Sequence, residues 1–108
     1  MSPITLINSF EVPAGREREF FELWKKVNSY MRQKPGYLSH KLHRSMEPDA
    51  AFRFVNVAQW ASLEDFQAAH DAGFRNLVTE AAWSGFPAPH PALYEVVHEG
   101  AGGGAARM

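Results

Sequence analysis

The stretch Phe52–Trp60, FRFVNVAQW, constrains the chain more than any other, because its alternation is that of a β-strand apolar on both faces. Phe52, Phe54, Ala58 and Trp60 fall on one face, and Val55 and Val57 on the other. Asn56 has the parity of the first set. A strand of this kind lies inside a sheet that is covered on both sides. With its lead-in residue it is predicted to span residues 51–60.

The flanking segments supply the rest of such a sheet. Residues 4–12, ITLINSFEV, place Ile4, Leu6, Phe10 and Val12 on one face with Asn8 among them, and Pro13 and Gly15 end the strand. Residues 16–33 change to helical spacing, with Phe20, Leu23, Trp24, Val27, Tyr30 and Met31 on one buried stripe. Lys34-Pro35-Gly36 stops that helix, and YLSHKLHRS (37–45) is a second strand. Ser62 reads as an N-cap, with Asp65 in a weaker version of the capping-box position. The helix it opens runs through Leu63 and Phe66, breaks near Gly73, and resumes through Phe74, Leu77, Val78 and Ala81. SGFPAPHP (84–91) is too rich in proline and glycine to be regular, and ALYEVVHE (92–99) closes the domain as a strand.

The order is β-α-β-β-α-β, the pattern of an α+β, ferredoxin-like fold with a four-stranded antiparallel sheet. Two helices cover one face of that sheet. Strand three is apolar on both faces, and so is strand four, where Leu93 and Val97 oppose Tyr94 and Val96. The open face needs a second layer, and a second copy about a two-fold axis is the simplest one. A homodimer is therefore expected. At 108 residues and 45% hydrophobic there is material for one core, so residues 1–98 form one domain and the glycine-rich residues 99–108 a flexible tail.

Several function classes fall away. Without cysteine there is no disulfide, thiolate site or cysteine nucleophile. A net charge of -1, with no basic cluster among exposed aromatics, argues against nucleic acid and membrane surfaces as partners. No signal peptide and no apolar run of about 20 residues is present, so a cytoplasmic location is expected. His40 and His43 point to opposite faces of a strand, His70 lies near the end of a helical turn, His90 sits in the proline-rich loop at a pocket rim, and His98 is close to the terminus. No metal site is expected from that distribution. Phosphate-binding loops and nucleophile elbows are also missing.

What stands out is a pair of amides. Asn56 and Asn8 each interrupt an apolar face, on strands one and three, which are adjacent in this topology. A buried amide without partners costs roughly 1–3 kcal/mol, so each must bond backbone, water or ligand. Trp60 adds an indole N–H on the same face. Taken singly, a buried Asn most often satisfies a loop or helix end, and a buried Trp most often fills a core. Together on one face they also describe a pocket wall.

The segments NSFEVPAGREREF, KPGYLSHKLHR, FRFVNVAQWASLEDFQAAH and HPALYEVV resemble the antibiotic biosynthesis monooxygenase family over about residues 4 to 97. The resemblance implies a small dimeric α/β barrel. In quinone-forming members, which oxidise aromatic polyketides without a cofactor, an Asn and a Trp spaced N-x-x-x-W line the pocket, and Asn56 and Trp60 match both. The Tyr six residues beyond that Trp is Phe66 here, and an Arg of the following helix corresponds to Arg75. In small haem-degrading members, an Asn seven residues before the helix-opening Gly contacts haem, and Asn8 and Gly15 match. Their ligating His, however, falls near Val78 and their cleft Trp near Ala69.

The resemblance thus implies oxygenation of a small electron-rich aromatic (a phenol, anthrone or quinol) by O2, with no metal, flavin or other cofactor. Asn56 and Trp60 are the expected catalytic donors. Asn8, Phe66, His70, Arg75 and Trp24 are the expected substrate contacts. Haem binding and degradation is the alternative, and a non-catalytic ligand-binding dimer is a third reading. The general base stays open between His70, His90 and water.

Overall fold

In the computed structural model, which describes residues 2–104, the sheet is the one the alternation predicts. Strand β1 (Ile4–Phe10), helix α1 (Glu17–Met31), strands β2 (Tyr37–Arg44) and β3 (Phe54–Trp60), helices α2 (Leu63–Ala69) and α3 (Ala72–Val78), and strand β4 (His90–Tyr94) follow in that order. The strands are antiparallel and lie side by side as β2-β3-β1-β4. The two strands with interrupting amides are therefore the central pair, and Asn8 stands directly opposite Asn56.

Burial along β3 alternates without a break: Phe54, Asn56, Ala58 and Trp60 are buried, and Val55, Val57 and Gln59 are half-buried. The buried set packs against α1 and the α2–α3 pair in two clusters. Phe20, Trp24 and Phe54 centre one, joined by Phe10, Trp83 and Phe86. Met31, Trp60 and Ala69 centre the other, joined by Tyr37, Phe66 and Phe74. Val55 and Val57 look away from the helices, as expected.

Several boundaries differ from the sequence reading, those around strand three, the second helix and the last strand most. Strand three begins at Phe54 rather than at 51, so Phe52 lies outside it, 40% exposed and edge-on to the His90 ring. The second helix breaks at His70–Asp71, not at Gly73. Asp71 caps a new helix by accepting the Phe74 N–H at 3.0 Å, and this capping bond is available to Asp but not to Gly. Gly73 instead lies inside α3, where a Cβ would come within 2.2 Å of the Tyr30 hydroxyl. The last strand is displaced: it starts at His90, inside the segment expected to be irregular, and ends at Tyr94, with a short 3₁₀ turn at Ala81–Trp83 before it. Residues 95–104 carry no helix or strand, and residues 105–108 of the expected tail lie outside the described residues.

One turn needs its glycine. Gly36 has φ +86°, and a Cβ there would lie 2.4 Å from the Asp65 side chain. Its carbonyl accepts the Ala61 N–H at 2.8 Å, tying the start of β2 to the end of β3. Ser62 then caps α2 as the sequence predicts, accepting the Asp65 N–H at 3.1 Å.

Candidate active site

Between the sheet and the helices lies a cavity of about 290 Å³, at the small end of the roughly 300–1,000 Å³ usual for ligand sites. Its floor is the helix-facing side of the central strands, with Leu6, Asn8, Phe10, Asn56, Ala58 and Trp60. Helix α1 contributes Phe20, Trp24, Val27, Asn28 and Met31 to one wall. His70, Phe74 and Val78 come from the α2–α3 side, and Trp83, Phe86 and Pro87–Pro89 from the segment before β4.

Of the expected site residues, the fold brings Asn8, Asn56, Trp60, Trp24 and His70 to this one cavity. Phe66 and Arg75 do not line it. Phe66 stands behind the wall, with its ring 5.7 Å from Trp60 and 4.2 Å from His70. Arg75 is exposed, and its guanidinium donates to the His70 carbonyl at 3.0 Å.

The polar atoms on the floor have unmet demands. Asn56 is 7% exposed and Trp60 1%, and neither the Asn56 Oδ1 nor the Trp60 Nε1 has a hydrogen-bond partner among the described residues. The buried Oδ1 of Asn8 is in the same position. Residues directly opposite on antiparallel strands have Cβ atoms about 5 Å apart, so the two amides form one polar spot in an apolar floor. Buried polar groups nearly always find partners, and three such atoms around one cavity mark a place where a ligand or water completes the bonding.

His70 is oriented for a different task. Its Nδ1 lies 2.7 Å from the Phe66 carbonyl, which can only accept, so Nδ1 carries the proton. In the neutral ring Nε2 is then a free lone pair. His90, by contrast, is in β4 outside the cavity lining, and its Nε2 lies 3.0 Å from a carboxylate oxygen of Glu11.

Sequence reasoning missed three contributors. Trp83 and Phe86 come from a segment with no periodicity to read. Arg16 holds that segment in place: it pairs with Glu19 through two 2.8 Å bonds, and its guanidinium lies 4.0 Å over the Phe86 ring. The third is Tyr37, which lines the cavity beside Trp60 at a centroid distance of 4.9 Å. Simple alternation puts Tyr37 on the open face with Ser39, Lys41 and His43. A register shift between Tyr37 and Ser39 turns it to the helix side, opposite Trp60.

Fold and site together define a ferredoxin-like domain with an aromatic-lined cavity, open to one side, and hydrogen-bonding groups on the floor of its sheet. The family model for antibiotic biosynthesis monooxygenases matches residues 3–81, and the chain belongs to that family. Tetracenomycin-F1 monooxygenase of Streptomyces glaucescens is 36% identical to it over 67 residues, covering 61% of this chain and 57% of that protein. The match thus spans little more than half of that relative's length. SnoaB, a cofactor-independent oxygenase from Streptomyces nogalater, superposes with a TM-score of 0.77 over 92% of this chain and 97% of its own, at 24% identity. At that identity the likeness is one of fold. MhuD, a heme-degrader from Mycobacterium tuberculosis seen with two hemes bound in its active site, has a TM-score of 0.69 over 91% of this chain and 99% of its own, at 26% identity.

Proposed function

We propose that this protein is a cofactor-independent monooxygenase that oxidises an electron-rich aromatic substrate with O2, working as a homodimer. The observation that carries the reading is the polar spot formed by Asn8, Asn56 and Trp60 on the floor of an otherwise aromatic cavity. Triplet O2 reacts with a closed-shell organic molecule by accepting one electron at a time, and an ionised phenol or enol is the donor best able to supply it. The protein's part is to generate and hold that anion away from water.

The residues divide this work. His70 Nε2 accepts the substrate's O–H proton. The Asn56 Nδ2 and the Trp60 indole N–H donate to the resulting oxyanion, and the buried amide oxygens of Asn56 and Asn8 accept from other hydroxyls of the substrate and so orient the ring. Trp24 and Phe74 pack against the ring faces. One electron then passes to O2, the two radicals combine as a peroxide anion at the ring carbon, and the proton held on His70 returns to it to give the hydroperoxide. Loss of water leaves a carbonyl there: for an anthrone, CH2 plus O2 gives C=O plus H2O. Phe66 and Arg75 act behind the wall by setting the position of His70.

Oxygen uptake with an anthrone substrate tests this directly. Asn56→Ala and Trp60→Phe are each expected to lower kcat roughly 100- to 1,000-fold, the usual consequence of losing one oxyanion donor. Unchanged rates in both variants would sink the assignment. Saturable anthrone binding without oxygen uptake would favour a binding protein instead.

The residues present do not supply the haem donor set that the family resemblance implies. Val78 lines the cavity where the ligating imidazole would stand, and Ala69 is packed against Trp60 where the cleft Trp would stand. Among the described residues His70 is the one histidine in the cavity lining, so a haem titration discriminates. No saturable Soret band is expected.

A further inference from the structure

We infer that Tyr37 is a third hydrogen-bond donor to the substrate oxyanion, with Asn28 holding its hydroxyl in place. The inference rests on the oxyanion reading of the same cavity and adds a residue to it. The Asn28 amide Nδ2 lies 2.8 Å from the Tyr37 hydroxyl oxygen. An amide nitrogen can only donate, so the phenol oxygen is the acceptor in that bond and its single proton must be given elsewhere. Among the described residues no group accepts it. Both Tyr37 and Asn28 line the cavity.

Position and state both suit the task. The Tyr37 ring stands edge-on to Trp60 at 74°, so a phenolic O–H and an indole N–H come from adjacent side chains on the same part of the wall. Burial pushes the Tyr37 phenol above its usual range, so the hydroxyl keeps its proton at neutral pH. The bond received from Asn28 polarises the O–H and makes it a better donor. No other tyrosine can do this. Tyr30 gives its proton to the Asp71 carboxylate at 2.8 Å, and Tyr94 is exposed on β4. Phe66 stands behind the cavity wall and has no proton to give.

The test uses a phenol that the enzyme cannot oxidise at an anthrone carbon and whose ionisation is visible: 2-hydroxyanthraquinone, titrated by absorbance while bound to the full chain. Wild-type protein is expected to lower the probe's pKa relative to free solution. Tyr37→Phe keeps the ring and removes only the hydroxyl. It is expected to raise the bound probe's pKa by about one unit, a tenfold loss of ionisation, with little change in affinity for the neutral form. Asn28→Leu is expected to shift it the same way by less, since it leaves the hydroxyl present but unanchored. If Asn56→Ala and Trp60→Phe raise the probe's pKa while Tyr37→Phe leaves it at the wild-type value, the role of Tyr37 is refuted and the oxyanion reading stands. If wild-type protein does not lower the probe's pKa at all, the oxyanion reading falls and Tyr37 with it.

Discussion

Asn56 is a residue whose stability and function pull in opposite directions. Its carboxamide is buried beside that of Asn8 in a floor otherwise hydrocarbon and aromatic, and its oxygen has no partner among the described residues. An unsatisfied buried polar atom costs roughly 1–3 kcal/mol, and replacing it by an apolar group of like size removes the cost. Asn56→Leu is therefore expected to raise the unfolding free energy by about 1 kcal/mol while abolishing oxygen uptake. A variant that melts below wild type in chemical denaturation would show that the amide is already satisfied in solution. The parity of β3 makes this residue legible in the sequence, because one polar side chain on an alternating apolar face has nowhere else to point. Tyr37 is illegible for the converse reason. A bulge that skips Leu38 reverses its face, and nothing in YLSHKLHR announces a bulge.

At the scale of elements, the second helix shows why glycine misleads. Read from the sequence, Gly73 looks like a break, because glycine is the weakest helix former after proline. The chain breaks earlier because Asp71 offers a better N-terminus, and it keeps Gly73 because α1 approaches closely there. Gly73→Ala improves helix propensity by about 1 kcal/mol, yet it is expected to destabilise the protein, since the added Cβ meets the Tyr30 hydroxyl. Tyr30→Phe in the same chain should recover part of the loss, and an additive double mutant would contradict the contact. The Asp71 cap also makes a pH prediction. Its carboxyl is held well below the usual range by the Lys34 ammonium, then by the Phe74 N–H and the Tyr30 hydroxyl. A depressed folded-state pKa stabilises at pH values above the unfolded-state value and loses that contribution as pH falls through the folded one. The melting temperature of Asp71→Asn is thus expected to lie below wild type at pH 7, with the gap narrowing as pH drops from about 4 toward 2. A gap that stays constant over that range would exclude the carboxylate's charge as its source. The displaced β4 was unreadable for another reason. His90 and Pro91 lack strand propensity, and pairing with β1 alone places them.

At the scale of the whole molecule, the helices cover one face of the sheet and leave the other with an apolar band that a monomer has no means to bury. Ile7, Val55 and Val57 look outward from the two central strands, where a sheet is normally best covered. Beyond β4, Val96 is 64% exposed and Val97 88%, in a segment whose composition suits a strand but which pairs with no strand among the described residues. A second copy placed face to face supplies a matching layer, and each copy can bring its residues 95–97 to the other's sheet. The cavity lies on the helix side, so dimerisation as proposed would cover the back of the sheet that carries Asn8 and Asn56 and leave the cavity's helix-side lining free. Val57→Asp puts a charge at the centre of the proposed interface while leaving the cavity floor, one residue to either side, chemically unchanged. An unpaired carboxylate there costs several kcal/mol, so the dimer dissociation constant is expected to rise at least about a hundredfold by analytical ultracentrifugation. The wild-type melting temperature should rise with protein concentration, and that of Val57→Asp should not. A wild-type protein that sediments as a monomer at every concentration would leave the apolar face unexplained and end the dimer proposal.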